Sequence, residues 1–278
     1  MTSRQSVQLG QVQESLLVPL YARAVDSLKK RPILNDPKAL EMVGSIDWNF
    51  RRFHQRWRLA AAILRTAMYD AWVKDFLGRH PEGTVVEIGA GLNTRFERLD
   101  NGTVHWFDLD LPDAVELRQR FFTDSARRVT LAGSIVDPDW MEAVRRSPGP
   151  YCFVAEAVFI YLTEQKVKAA LAQIAANFPG ASIAFDTTTL KGITHGNEDL
   201  ASRKLEARFA WGCTEPREIK RWKIGLRLVE SRTLADVPDI LRSRLSWRMR
   251  AAIRILVKLA PIFERVCQLN LFAAQSKA

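Results

Sequence analysis

The chain has 278 residues, 47% hydrophobic and 26% charged, which excludes a disordered polymer and suffices for one large domain or two small ones. Its formal charge of +10 is gathered largely in residues 51–65 and 242–258, leaving open solvated helix faces, an acidic small substrate, nucleic acid or an anionic membrane surface. Three scattered cysteines with no CxxC pair, and four scattered histidines, argue against a disulfide framework or a metal centre.

Residues 1–17 hold no apolar stretch before a small-residue cleavage site, and no apolar run is long enough to cross a bilayer. The expectation is a cytoplasmic protein without a leader. From about residue 13 to 77 the pattern is helical, broken at Arg31-Pro32 and Asn35-Asp36-Pro37. Asp36 is placed to cap a helix that Pro37 opens. Leu59, Ile63, Ala67, Trp72, Phe76 and Leu77 predict an amphipathic helix over 57–77 that ends near Gly78. Residues 1–80 are read as an N-terminal helical cap.

After Pro81 strands and helices alternate. Strands are predicted over 85–88, 104–109, 128–131, 152–159 and 182–187, with helices over 113–123, 138–146 and 163–178 between them. Near-continuous apolar strands alternating with helices indicate a mostly parallel sheet buried on both faces. Beyond Thr189 the alternation stops: a polar, mostly helical segment over about 190–225 reads as a lid insertion. Strands over 226–234 and 266–273 follow, separated by a basic helix broken at Pro261, and predict an antiparallel hairpin at one sheet edge. Residues 81–278 are thus one α/β core with a mixed seven-stranded sheet.

The most informative stretch is TVVEIGAGLNTRFERL, residues 84–99. In an open α/β sheet, ligands bind where the first strand turns into a helix, and Gly89-Ala90-Gly91 stands there. A dinucleotide fingerprint asks for a third glycine where this chain has Thr94, and a Walker loop asks for Gly-Lys-Ser/Thr, which is absent. Glu87-x-Gly89-x-Gly91 suits S-adenosylmethionine, which has no pyrophosphate to seat. The second strand ends in Asp108-Leu109-Asp110, and Asp110 is placed to accept from ribose hydroxyls or to cap a helix before Pro112. Glu156, in an apolar strand, needs a buried partner, either a ligand cation or an internal arginine.

With WFDLDLP and VAEAVFIYL, the glycine stretch resembles the leucine carboxyl methyltransferase family, specifically its polyketide-type (tetracenomycin-like) O-methyltransferase branch. Softer matches are ESLLVPLYARA, DPKALEMV and RFAWGCTEPREIKRW. The resemblance implies a class I, Rossmann-like S-adenosylmethionine-dependent methyltransferase. It implies that Arg65, with Arg23, binds the cofactor carboxylate. Glu87, Gly89, Ala90 and Gly91 would form the loop, Asp110 and Leu111 the ribose side, and Ser134 and Ile135 the adenine side. Glu156 and Ala157 belong to the fourth-strand motif, and Tyr161 follows it over the reaction site. The chain departs from the branch at Asn93, where aspartate is usual, and at Ser134, where many relatives have aspartate.

No Ser–His or His–Asp set stands out, which fits a carboxylate acceptor that is already ionised. The expected reaction is methyl ester formation on a small molecule of secondary metabolism. The alternatives are a phenol or alcohol, a modified RNA nucleoside, or a non-enzymatic cofactor-binding protein at a membrane surface. Tyr21 and Tyr161 are the candidate positioning residues. Arg95, His195, Arg208 and Trp211 are the candidate substrate contacts, with Lys191 and Arg203 as further cations. No metal, nucleic acid or membrane partner is expected, and the chain is read as a monomer or homodimer.

Overall fold

The structure, a computed structural model, describes residues 5–6, 16–53, 55–202, 206–245, 247, 250–251 and 267–275. Three helices precede the main sheet: α1 (Leu17–Ser27), α2 (Pro37–Ser45) and α3 (Arg56–Arg79). The Asp36 carboxylate caps α2, its Oδ1 accepting from the Ala39 N–H at 2.9 Å, with Pro37 in the first turn as the sequence predicts.

Seven strands follow: β1 (Thr84–Ile88), β2 (His105–Asp110), β3 (Arg128–Ala132), β4 (Tyr151–Ala155), β5 (Ser182–Thr187), β6 (Leu226–Thr233) and β7 (Gln268–Ala274). Their spatial order is β3-β2-β1-β4-β5-β7-β6. The first five are parallel, and β7 runs antiparallel to both of its neighbours. The predicted edge hairpin is present, with its later strand on the inside. Fully buried Asn270 fixes β7: its amide donates to Thr187 Oγ1 at 3.1 Å and accepts from Ser231 Oγ at 2.7 Å.

Successive strand residues supply opposite faces, as a period of two requires. Val86, Phe107, Phe153 and Phe185 pack under α6 (Trp140–Arg145) and α7 (Glu164–Asn177), against Trp140, Leu171, Ile174 and Phe178. Val85, Trp106, Cys152 and Ala184 pack on α3, against Ile63, Met68, Trp72 and Phe76. Each buried aromatic or branched side chain contributes roughly 1.5–3 kcal/mol relative to exposure. A third cluster, with Leu20, Met42 and Phe53, seats α1 and α2 against Leu92 and Phe122, beside the loop that follows β1.

Three expectations need adjustment. Strand β4 stops at Ala155 instead of running to 159, because Ala157 has φ +57° and residues 159–161 form a 3₁₀ turn. The helix after β2, α5 (Pro112–Arg118), is shorter than the predicted 113–123. The segment 190–225 holds α8 (Leu190–Ser202) and a 3₁₀ turn over 216–222, with irregular backbone over 206–215. Most of the basic stretch 242–258, its break at Pro261, and Arg203 lie outside the described residues. Among the described residues, no helix is long and apolar enough to cross a membrane.

Candidate active site

The carboxyl ends of β1, β2 and β4 meet at one edge, since Ile88 stands opposite both Leu109 and Ala155. There β1 turns through Gly89 (φ +64°) and Gly91 (φ +46°), a region that a side chain disfavours. A Cβ at Gly89 would lie 2.4 Å from Val158 Cγ2, and one at Gly91 would lie 2.8 Å from Leu16 Cδ2. The loop is therefore pressed between the turn after β4 and the start of α1. The Gly89 N–H donates to Leu109 O at 2.8 Å, while the Gly91 N–H donates to Asp110 Oδ2 at 2.6 Å. The Leu111 N–H reaches Asp110 Oδ1 at 2.8 Å. Burial pushes the Asp110 carboxyl above its ordinary pKa, against the pull of these two donors. A carboxylate has about four acceptor positions, so two remain for a ligand diol.

A cavity of about 360 Å³ opens in front of this loop. Arg23, Arg65, Glu87, Gly89, Ala90, Gly91, Asp110, Leu111, Ser134, Ile135, Glu156 and Ala157 all line it, as does Tyr161. Residues as far apart in the chain as Arg23 and Tyr161 are thus brought to one space. Arg58, Asp199, Leu200 and Phe209 also line it, and the sequence reading missed them. Arg58 lies in the basic run noted above; Asp199 carried no local signal, because it faces the cavity only through the way α8 folds over.

Six expected contacts are placed elsewhere. Arg95 is 1% exposed and bonds to three carboxylates, so it is a structural cation rather than a substrate contact. Trp211, 3% exposed, packs in the core between Phe185 and Trp222. Half-buried Tyr21 stacks on Phe50 with ring centroids 5.6 Å apart, outside the cavity lining. His195 and Lys191 are exposed on α8, away from the lining. Exposed Arg208 turns back to donate to Ala207 O at 2.8 Å and does not line the cavity.

A charge network underlies the floor. Arg95, on α4 (Arg95–Leu99), donates to Asp70 Oδ1 at 2.7 Å, to Glu156 Oε2 at 2.7 Å, and to Glu87 Oε1. Arg65 Nε and the Thr66 hydroxyl donate to Glu156 Oε1 at 3.0 and 2.8 Å. Arg23 donates to Asp36 Oδ2 at 2.9 Å and to Leu92 O at 2.6 Å. Arg98 ties the halves together, bonding to Asp70 at 2.8 Å and to Asp36 at 3.3 Å. Glu156 thus finds its cations inside the protein. Burial would push its carboxyl up, but the Arg65 and Arg95 guanidiniums and the Thr66 hydroxyl hold it down at about 2. Glu87 moves the other way: burial raises it despite Arg95. Asn93 has a place too, donating to Glu87 Oε1 at 3.0 Å.

These groups fit S-adenosylmethionine. Glu87 Oε2 is buried at the cavity wall without a hydrogen-bond partner among the described residues, an acceptor left for a ligand donor. The Arg65 guanidinium is held only through Nε by Glu156, so its terminal nitrogens make no hydrogen bond among the described residues. Leu109, Leu111 and Ile135 give an apolar slot beside Asp110. The sheet order, the glycine turn at the end of β1 and the acid at the end of β2 define a class I S-adenosylmethionine-dependent methyltransferase. Residues 17–175 match the leucine carboxyl methyltransferase family, and the chain belongs to that family. It is similar to the tetracenomycin polyketide synthesis O-methyltransferase TcmP of Streptomyces glaucescens, with 31% identity over 86% of this chain and 89% of that one. It is also similar to the S-adenosyl-L-methionine-dependent methyltransferase dpfgK of Gibberella zeae, with 26% identity over 81% and 83%. In fold it is similar to a structure from Thermobifida fusca described as a candidate methyltransferase, with TM-score 0.58, 15% identity, and coverage of 92% and 94%.

Proposed function

We propose that this methyltransferase esterifies the carboxylate of a small aromatic acid in polyketide-type secondary metabolism, in the cytoplasm. The observation that carries this reading is the cavity wall, which among the described residues has no histidine or lysine to serve as a base, while the carboxylate at its outer end, Asp199, is engaged by Arg58. S-adenosylmethionine supplies an electrophilic methyl: a carboxylate oxygen lone pair forms the O–C bond as the C–S bond breaks, its pair staying on sulfur. A phenol would need its proton removed; a carboxylate has none to lose at neutral pH.

In this reading the protein acts by holding and aligning, which supplies roughly 7–11 kcal/mol of barrier lowering. Asp110 holds the ribose hydroxyls, Arg23 and Arg65 the methionyl carboxylate, and Ser134 and Ile135 border the adenine. Tyr161, edge-on to Phe209 at 5.1 Å, walls the acceptor side. Residues 1–80 act as a cap, and the segment 190–225 acts as a lid that keeps water from the methyl. The name of the Streptomyces relative, a polyketide O-methyltransferase, supports an oxygen acceptor of this class. Incubation with methyl-labelled S-adenosylmethionine and a panel of aromatic acids should give a base-labile labelled ester. Label confined to base-stable ethers would refute the carboxyl acceptor.

A further inference from the structure

Arg58, in the first turn of α3, and Asp199, on α8, both line the cavity and pair with each other through Arg58 Nη1 and Asp199 Oδ2. Each side chain is a little over a quarter exposed, so the pair stands at the end of the cavity that solvent reaches. Beside it are Leu200, Tyr161 and Phe209, which pack as one apolar cluster. The polar groups that fit the cofactor, Asp110, Arg23 and Arg65, already have their own partners and do not involve this pair. Arg58 is also incompletely used: its Nε is buried with no hydrogen-bond partner among the described residues. A guanidinium that spends one nitrogen on a side-chain carboxylate, beside an aromatic wall, is suited to exchange that carboxylate for another.

We propose that Arg58 is the receptor for the acceptor's carboxylate, and that Asp199 is an internal stand-in that an acidic substrate displaces and a neutral product does not. The assignment rests on the carboxylate reading above. Transfer forms one O–C bond and breaks one C–S bond, taking the acceptor from charge −1 to 0 with no proton moved. The acid can compete with Asp199 for the guanidinium; the ester, with no charge, cannot. Displaced Asp199 already has part of its carboxylate side chain in water, which offsets part of the cost of its release. Return of Asp199 to Arg58 then drives the ester out.

Calorimetry on the protein loaded with S-adenosylhomocysteine tests this, using 3-hydroxy-2-naphthoate and its methyl ester as probes. The wild type should bind the acid more tightly than the ester. Arg58→Gln should weaken the acid by about 10- to 100-fold and leave the ester unchanged, while Arg58→Lys should keep the acid ahead of the ester. Asp199→Asn, by removing the competitor, should tighten the acid by roughly 2- to 5-fold. A pair that merely ties α3 to α8 predicts otherwise: Arg58→Gln and Asp199→Asn would weaken the acid alike, and that result overturns the proposal. An ester that binds the wild type as tightly as the acid overturns it as well. The same probe carries a phenol, so labelled cofactor reports separately on the acceptor atom. Label on the phenol oxygen sinks the ester reading, while the order of the binding constants decides the role of Arg58.

Discussion

Glu156 keeps its charge where a bare carboxylate would be most costly, and the consequence is visible in acid. Its folded pKa of about 2 lies below the ordinary 4.5, so its contribution is complete above pH 4.5 and is lost as the pH falls toward 2. That difference corresponds to about 3 kcal/mol. The stability gap between wild type and Glu156→Gln, measured by denaturant unfolding, should shrink by that amount across this window; a pH-independent gap would mean Glu156 is not held ionised. Asp110 makes a different prediction. Asp110→Asn should weaken S-adenosylhomocysteine by about 10- to 100-fold, the range for hydrogen bonds to a charged group, with calorimetry as the check. Gly89→Ala should destabilise by more than the roughly 1–2 kcal/mol of a left-handed residue, because its Cβ meets Val158 Cγ2 at 2.4 Å. Val158→Ala should recover the steric part of that loss and none of the backbone part. Positions such as Gly89 and Asp110 were legible in the sequence because a strand, a turn and an acid recur there in fixed order. Arg95 and Trp211 were misread because a sequence shows that a residue is cationic or aromatic but not which way it faces.

At the level of elements, α4 is the clearest case of a short helix with a large task. Its five residues deliver Arg95 to carboxylates from α3, β1 and the turn after β4, and Arg98 to α3 and the cap of α2. Arg95→Met should cost about 3–5 kcal/mol, the range for breaking a buried ion pair, because Glu87 loses its cation while Asp70 and Glu156 keep only Arg98 and Arg65. Arg95→Lys should recover little, since one ammonium cannot reproduce the planar fork. Unfolding midpoints in urea would show both. The strands themselves were readable from apolar runs, and the β5 boundaries are those expected. What the runs concealed was the end of β4: VAEAVFIYL is apolar apart from Glu156, yet Ala157 turns left-handed, its N–H held by Asp186 Oδ1 at 2.6 Å. Partners 29 residues away decide that turn, and periodicity cannot see them. Asp70 did carry a signal, an acid among the buried residues of α3 that demands a cation, but nothing local names Arg95 and Arg98 as its partners.

The molecule as a whole carries +10, yet Arg23, Arg65, Arg95 and Arg98 beneath the cavity are matched by Asp36, Asp70, Glu87 and Glu156. The excess therefore lies outside this network. Such a field draws anions toward the protein, so kcat/KM for an acidic acceptor should fall severalfold between about 0.01 and 0.15 M ionic strength, as screening shortens from roughly 30 to 8 Å. A rate indifferent to salt would place the excess charge away from the entrance. The sheet's arrangement bears on how this protein is made. Residues 268–274 slot between two strands synthesised before them, and Asn270 fastens both. As the polypeptide leaves the ribosome, β5 waits with one side open and β6 has no neighbour to join until that late segment emerges. The glycine turn, the ribose acid and the charge network are all translated earlier, so the binding floor can assemble while the far border of the sheet is still unmade. The nascent chain accordingly carries two strands with open edges until residues 268–274 have emerged, when shielding by a chaperone matters most.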